Sequence, residues 1–311
     1  MSQQADSSGA WTSQNGATMN DDLAAAFHAL GDELRVEIIR ALCAVRQESP
    51  EDPGLTFSEL SRRVGAEDTG LFNYHLKQLR GRFVQQQDGR YRLTVPGLMV
   101  AGSILTGELD SGIIEREVTL DDPCSHCDGE VCVSYHDGWL TATCSDEGTL
   151  LTTSVPPRVV EDEGIERAIR FATTKTLQWM EIASIGRCPI CFGAVETSLV
   201  EEEIHGQPVV IKQACETCGT QLRHPPGMYI AIQPAVRSIY TECDRPIMTQ
   251  KLWDLELFRP ELFDITDTDP LRIEVSTSID RYTVSAAIHE DGTIHGLSTE
   301  LDQGCVGERS D

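Results

Sequence analysis

Cys188-Pro189-Ile190-Cys191 and Cys215-Glu216-Thr217-Cys218-Gly219 form two Cys-x-x-Cys knuckles, 23 residues apart. Between them Val195 to Val200 and Val209 to Lys212 read as strands around His205-Gly206, so a hairpin would carry one knuckle back to the other. Four thiolates about 2.3 Å from a shared ion complete a closed tetrahedron, and the metal expected there is structural. Zinc is the first expectation, with an iron centre of the rubredoxin type as its rival. Such an ion typically contributes ~10–16 kcal/mol of binding, which a small module needs in order to fold.

A second set lies upstream. Cys124-Ser125-His126-Cys127 is a knuckle, followed by Val131 to Tyr135 and Gly138 to Thr143 around Asp137-Gly138. Its partner reads Cys144-Ser145-Asp146-Glu147-Gly148, with Glu147 where the fourth thiolate belongs. The spacing thus describes two zinc-ribbon-like modules, the first degenerate. Cys132 or His136 would replace the missing thiolate, Glu147 would ligate through oxygen, or the ribbon has lost its metal and persists as a hairpin. These alternatives stay open, so one Zn2+ is expected and a second is undecided. Three thiolates with an open position could do chemistry, but no nucleophile elbow, P-loop, dinucleotide fingerprint or His-Glu-x-x-His helix accompanies them, and no enzyme is expected.

Eleven cysteines would suit disulfides in an oxidising compartment, but the polar N-terminus lacks the basic start and apolar stretch of a secretory signal. Metal is therefore the first reading of the pairs, and a cytoplasmic location is expected. Cys43 falls in an apolar helical run and reads as core, while Cys305 carries no assignment. No run of about 18 apolar residues occurs, so no membrane span is expected. Residues 1–20, rich in Ser, Gln and Gly, read as a disordered tail. The 25 basic residues stand against 50 acidic ones, a net charge of −25. That excess argues against a generic binder of nucleic acid or anionic membrane. With so few lysines it suits a halophilic protein, whose carboxylate surface holds water in a high-salt cytoplasm.

Residues 21 to 110 read differently. Leu23, Ala26, Phe27 and Leu30 recur at helical spacing until Gly31, and Asp32 can cap a helix bearing Leu34, Ile38, Ile39 and Leu42. Thr56-Phe57-Ser58-Glu59 fits a capping box for a short helix to Val64. Gly65-Ala66 turns the chain, and Asp68 can cap a second helix with Leu71, Phe72, Leu76 and Leu79 inward. Val84 to Gln87 and Arg90 to Leu93 flank Asp88-Gly89, a two-residue hairpin signal. A last helix runs from Pro96 to Leu109. Helix, turn, helix, hairpin is the winged helix-turn-helix order. From Thr56 to Leu93 seven basic residues face four acidic ones, a net of +3 that leaves −28 to the rest of the chain. A basic island in so acidic a protein points to phosphate contact.

Phe27-His28-Ala29-Leu30-Gly31-Asp32-Glu33-Leu34-Arg35 with Ile38-Ile39-Arg40-Ala41-Leu42 resembles the opening of ArsR-type regulators, and Asn73-Tyr74-His75-Leu76-Lys77-Gln78-Leu79 resembles their recognition helix. The stretch from Gly70 to Val84 is similar to archaeal members. The resemblance covers about 85 residues. It implies double-stranded DNA as partner and a homodimer built on the first and last helices of this domain. By the same resemblance Thr69, Asn73, Tyr74 and Lys77 face the major groove, with Asn73 the candidate base reader. Lys77, Arg80, Arg90 and Arg92 are then phosphate contacts, and His75 packs or orients the helix. The metal-sensing sites of the family are missing: no cysteine falls between Thr56 and Leu93, and no histidine from Pro96 to Leu109.

The expected organisation is α+β and multidomain. A winged helix-turn-helix (21–110) precedes the degenerate ribbon (120–155), a connector helix (161–185), the full ribbon (186–224) and a small β-rich C-terminal region (225–300). In the last, Pro234 to Tyr240 reads as a helix. Lys251 to Phe258, Leu271 to Thr277, Tyr282 to His289 and Thr293 to Leu297 read as strands, with a turn at Asp291-Gly292. Ribbons and a small sheet behind such a domain resemble a regulator architecture of halophilic archaea. The functional expectation is a DNA-binding transcription regulator whose effector is not legible. The alternative is a zinc-ribbon adaptor for protein or RNA that uses the winged helix for pairing.

Overall fold

The computed structural model describes residues 19–109, 114–204, 207–259 and 262–302. Most of the expected tail, with His205-Gly206 and Cys305, lies outside them. The described residues form eight α-helices and four small antiparallel sheets, and the chain divides into two units, Met1–Asp110 and Ser111–Asp311.

In the first unit Asp32 ends one helix and begins the next. α1 (Met19–Leu30) stops at Gly31, and the Asp32 carboxylate accepts the Arg35 N–H at 3.3 Å to open α2 (Glu33–Glu48). β1 (Leu55–Thr56) leads into α3 (Phe57–Arg63), whose capping box is complete: the Thr56 N–H meets Glu59 at 2.8 Å and the Glu59 N–H meets the Thr56 hydroxyl at 3.3 Å. α4 (Thr69–Leu79) starts on Asp68, which accepts the Gly70 and Leu71 N–H groups. β2 (Val84–Gln87) and β3 (Arg90–Leu93) pair through Asp88 and Gly89, both at positive φ (51° and 75°), the backbone of a type I′ turn. β1 joins the other edge of β3, and α5 (Val95–Leu105) closes the unit. Ile38, Ile39 and Leu42 from α2, Leu60 from α3, and Phe72, Leu76 and Leu79 from α4 form its core. Leu71 faces solvent instead of joining them, since it stands one helical step from Phe72.

The second unit holds three sheets and one long helix. β4 (Arg116–Thr119), β5 (Val131–His136), β6 (Trp139–Cys144) and β7 (Gly148–Ser154) form the first sheet. α6 (Pro157–Ser184) follows, broken at Gly164, where φ is 78°. β8 (Val195–Ile204), β9 (Gln207–Cys215) and β10 (Gln221–His224) form the second sheet, with the longest strands where a shorter hairpin was expected. α7 (Pro226–Ala231) and α8 (Pro234–Glu242) lead to the third sheet, β11 (Phe263–Thr268), β12 (Leu271–Ile279), β13 (Tyr282–His289) and β14 (Ile294–Leu301). The Leu199 N–H on β8 donates to the Glu290 carbonyl beyond β13 at 2.8 Å. One core runs through β5 to β7, α6, β8, β9, α7, α8, β12 and β13.

The expected strand from Lys251 to Phe258 is instead two 3-10 turns, Leu252–Asp254 and Glu256–Phe258. Each turn ends on an extended residue, Leu255 and Arg259. Leu252, Trp253, Leu255, Leu257 and Phe258 are buried without a sheet edge to pair with. Their alternation with Asp254 and Glu256 imitates the period of a strand.

Candidate functional site

The two cysteine segments fold alike, hydrogen bond for hydrogen bond. In the second, the Cys188 N–H donates to the Gly193 carbonyl (2.9 Å) and the Phe192 N–H to the Cys188 carbonyl (3.0 Å); in the first, Cys124 donates to Gly129 (2.8 Å) and Asp128 to Cys124 (3.0 Å). Phe192 and Asp128 hold positive φ of 59° and 60°. The glycines that follow lie so close that an added Cβ would meet Thr217 at Gly193, and Ser145 and the Cys144 sulfur at Gly129. Glu216 N–H bonds the Ala194 carbonyl, as Ser145 N–H bonds that of Glu130. Cys215 pairs with Val195, and Cys144 with Val131.

The Sγ atoms of Cys188, Cys191, Cys215 and Cys218 all lie within 4.8 Å of one another, as do those of Cys124, Cys127 and Cys144. Cys188 and Cys218 stand 3.6 Å apart and Cys191 and Cys215 3.5 Å. Thiolates around a tetrahedral zinc at about 2.3 Å would be spaced by about 3.8 Å. Both clusters therefore have the donors and the spacing to hold a metal ion. Backbone N–H groups point at the sulfurs, Ile190 at Cys188 (3.4 Å) among them. The Thr220 hydroxyl and N–H hold Cys218 down to about 6. The Gly193 N–H acts in the same direction on Cys191, but the Cys218 thiol, burial and the other two cysteines push it up to about 12. Four packed sulfurs cannot all ionise without a cation among them, and a bound metal lifts that restriction.

Glu147 takes the turn position of Cys218, but it is exposed and brings its backbone N–H to Cys144, with that of Asp146. The three-thiol cluster does not include it. Cys132 lies on β5 with its thiol 3.3 Å from Glu117, and His136 is 3.1 Å from Glu115. Neither joins the cluster. The sheets also differ in what else holds them. The first buries Val131, Val133, Tyr135, Leu140, Ala142 and Leu151 in the common core, whereas the second contributes Leu199, Val209 and Ile211.

In the first unit, Thr69, Tyr74, Lys77, Gln78 and Arg80 are exposed on or at the end of α4, and Asn73 is half-buried beside them. His75 is buried, with Nδ1 3.2 Å from the Asp32 carboxylate. Arg90 and Arg92 do not stand out from the hairpin as open phosphate contacts. Arg90 Nε lies 3.2 Å from Asp52 and its guanidinium donates to the Gly54 carbonyl at 2.7 Å, while Arg92 lies 2.9 Å from Asp52. Both are spent on holding the loop before β1, a use that no local pattern at 90–92 announces.

Residues 121–294, more than half of the chain, match the family described as Domain of unknown function (DUF7351), and residues 23–104 match a second, Domain of unknown function (DUF7347). The chain belongs to the DUF7351 family. No curated protein and no solved structure matches it. The two matched segments fall within the two structural units. No helix among the described residues is long and apolar enough to cross a membrane.

Proposed function

We propose that the chain is a DNA-binding transcription regulator, with α3 and α4 as a helix-turn-helix, β2 and β3 as its wing, and α4 as the helix that enters the major groove. The observation that carries this reading is the exposed face of α4, with Tyr74, Lys77, Gln78 and Arg80 inside a segment of net charge +3 in a chain of −25. α5 supports pairing of two copies. Its residues are almost all apolar, yet only Gly97 and Ala101 are buried, and Val95 and Met99 are 71% and 67% exposed. Phe27 on α1 is 71% exposed as well. Apolar surface of this kind marks an interface. The Cys188, Cys191, Cys215 and Cys218 site holds structural zinc, because four thiolates leave no open position.

Selection of bound sequences from a randomised duplex library, followed by titration from low to molar KCl, tests the proposal. Enrichment of a site with dyad symmetry is the expected result. The acidic body takes up cations as it docks, so the loss with salt should be shallower than about −0.9 per phosphate contact. The pairing of Arg90 and Arg92 with Asp52 favours the second reading, an adaptor for protein or RNA that uses this domain only to dimerise. A stable dimer that enriches no DNA sequence would decide for it.

A further inference from the structure

Within the second unit, β7, α6 and the second ribbon enclose a cleft of about 420 Å³. Trp139 stands at its rim, 54% exposed, and Trp179 and Met180 of α6, Met228 of α7 and Phe258 line it. Small-molecule sites commonly have this size, an apolar lining and a few fixed polar groups. Here the polar groups include the Thr153 and Thr176 hydroxyls, 3.4 Å apart, and the buried ring of His224.

The charges around the cleft are already balanced. Arg223 lies 3.0 Å from Glu202, and burial drives the His224 pKa down to about 4, so the ring is neutral at pH 7. Lys175 Nζ donates to the Ser154 carbonyl at 2.8 Å and sits 4.5 Å over the Trp179 ring, which fixes that ring in place. A charged ligand would bury an ion without a counter-charge, at high cost. One wall belongs to the metal site: Ile190 is part of the knuckle between Cys188 and Cys191, and the Thr220 hydroxyl is 3.0 Å from the Cys218 sulfur.

We propose that this cleft binds a neutral, largely apolar small molecule carrying an aromatic ring, against Trp139, Trp179 and the Cys188–Cys191 knuckle, and that the bound metal keeps it open. The inference goes beyond the DNA-binding reading, and the two can fail separately. The test is a titration of the full-length, metal-loaded protein with N-phenyl-1-naphthylamine, a neutral probe that brightens in apolar surroundings. Saturable binding of one probe per chain is expected, with energy transfer from tryptophan. Thr176→Trp, which fills the cleft, should weaken binding at least tenfold. Trp139→Ala, at the rim, should weaken it several-fold and reduce the transfer without disturbing the fold, as checked by circular dichroism and metal content. Chelation should abolish the saturable component. If Thr176→Trp does not fold, Trp139→Ala and chelation decide. Non-saturable binding, or binding unchanged by these variants in folded protein, overturns the proposal.

Discussion

The Asp32 carboxylate caps α2 and at the same time lies 3.2 Å from Nδ1 of the buried His75 on α4. One side chain therefore starts α2 and stands against the helix that carries Asn73, Tyr74 and Lys77, placed to orient it. Asp32→Ala should cost about 1–2 kcal/mol through the lost cap. It should also weaken DNA binding more than an equally destabilising core substitution far from α4. Thermal melts beside binding curves for Asp32→Ala and Ile38→Val make the comparison; equal losses of binding at matched stability would remove the orienting role.

The metal sites should answer unequally. Cys215→Ser leaves three thiolates in the sheet with the smaller share of the core, so loss of one zinc and unfolding of that sheet are expected. Cys144→Ser should change the melting temperature less, because the first sheet keeps its own buried residues. Elemental analysis should find one zinc that resists mild chelation and a second that exchanges, and Glu147→Cys should convert the second into a resistant one. Reduced, folded protein without any zinc would refute the structural-metal reading.

On the DNA side, Asn73→Ala should cost ~1–3 kcal/mol at one base position, as for a lost bidentate contact. Lys77→Ala should weaken all sequences alike. Arg90→Ala is expected to act chiefly on stability, by about 1 kcal/mol, since it releases the Asp52 loop and not a phosphate. If Arg90→Ala weakens binding as strongly as Lys77→Ala at unchanged stability, the arginine leaves its Asp52 pair on docking.

His224 supplies a pH dependence. Its folded pKa is pushed down to about 4 by burial, against an ordinary value of about 6.5. Below pH 6.5 the unfolded chain takes up a proton that the folded one refuses, so stability is full above that pH and declines as pH falls toward 4. The loss is on the order of 3 kcal/mol by the lower end of that window. Replacing His224 with Asn should flatten the change in melting temperature between pH 7 and pH 5. An unchanged slope would mean that the ring is already protonated in the fold.

Much of this was legible where local chemistry is decisive. Asp88-Gly89 set the bounds of β2 and β3 because few residues other than this pair accept two positive φ angles in succession, and Thr56 with Glu59 marked the start of α3 to the residue. The knuckles were readable for the same reason. Edge strands were not: Arg116 to Thr119 is exposed along its whole length and shows no alternation, and β11 is exposed from Asp264 onward. The pairing of Arg90 with Asp52 spans 38 positions and depends on how β1 meets β3. The cleft draws on segments from Trp139 to Phe258, which only the folded unit brings together.

The unequal cores of the two cysteine-bearing sheets decide which substitutions each can absorb. Where cohesion comes from Val133, Tyr135 and Leu140, a glutamate can occupy the fourth position while the sheet stays packed. Where fewer buried residues stand behind the cysteines, as with Leu199, Val209 and Ile211, the same exchange at Cys218 should cost the fold more. Two like knuckles inside a single core thus divide the tolerance for change unequally: substitutions at the first should be absorbed by its packing, and those at the second should not.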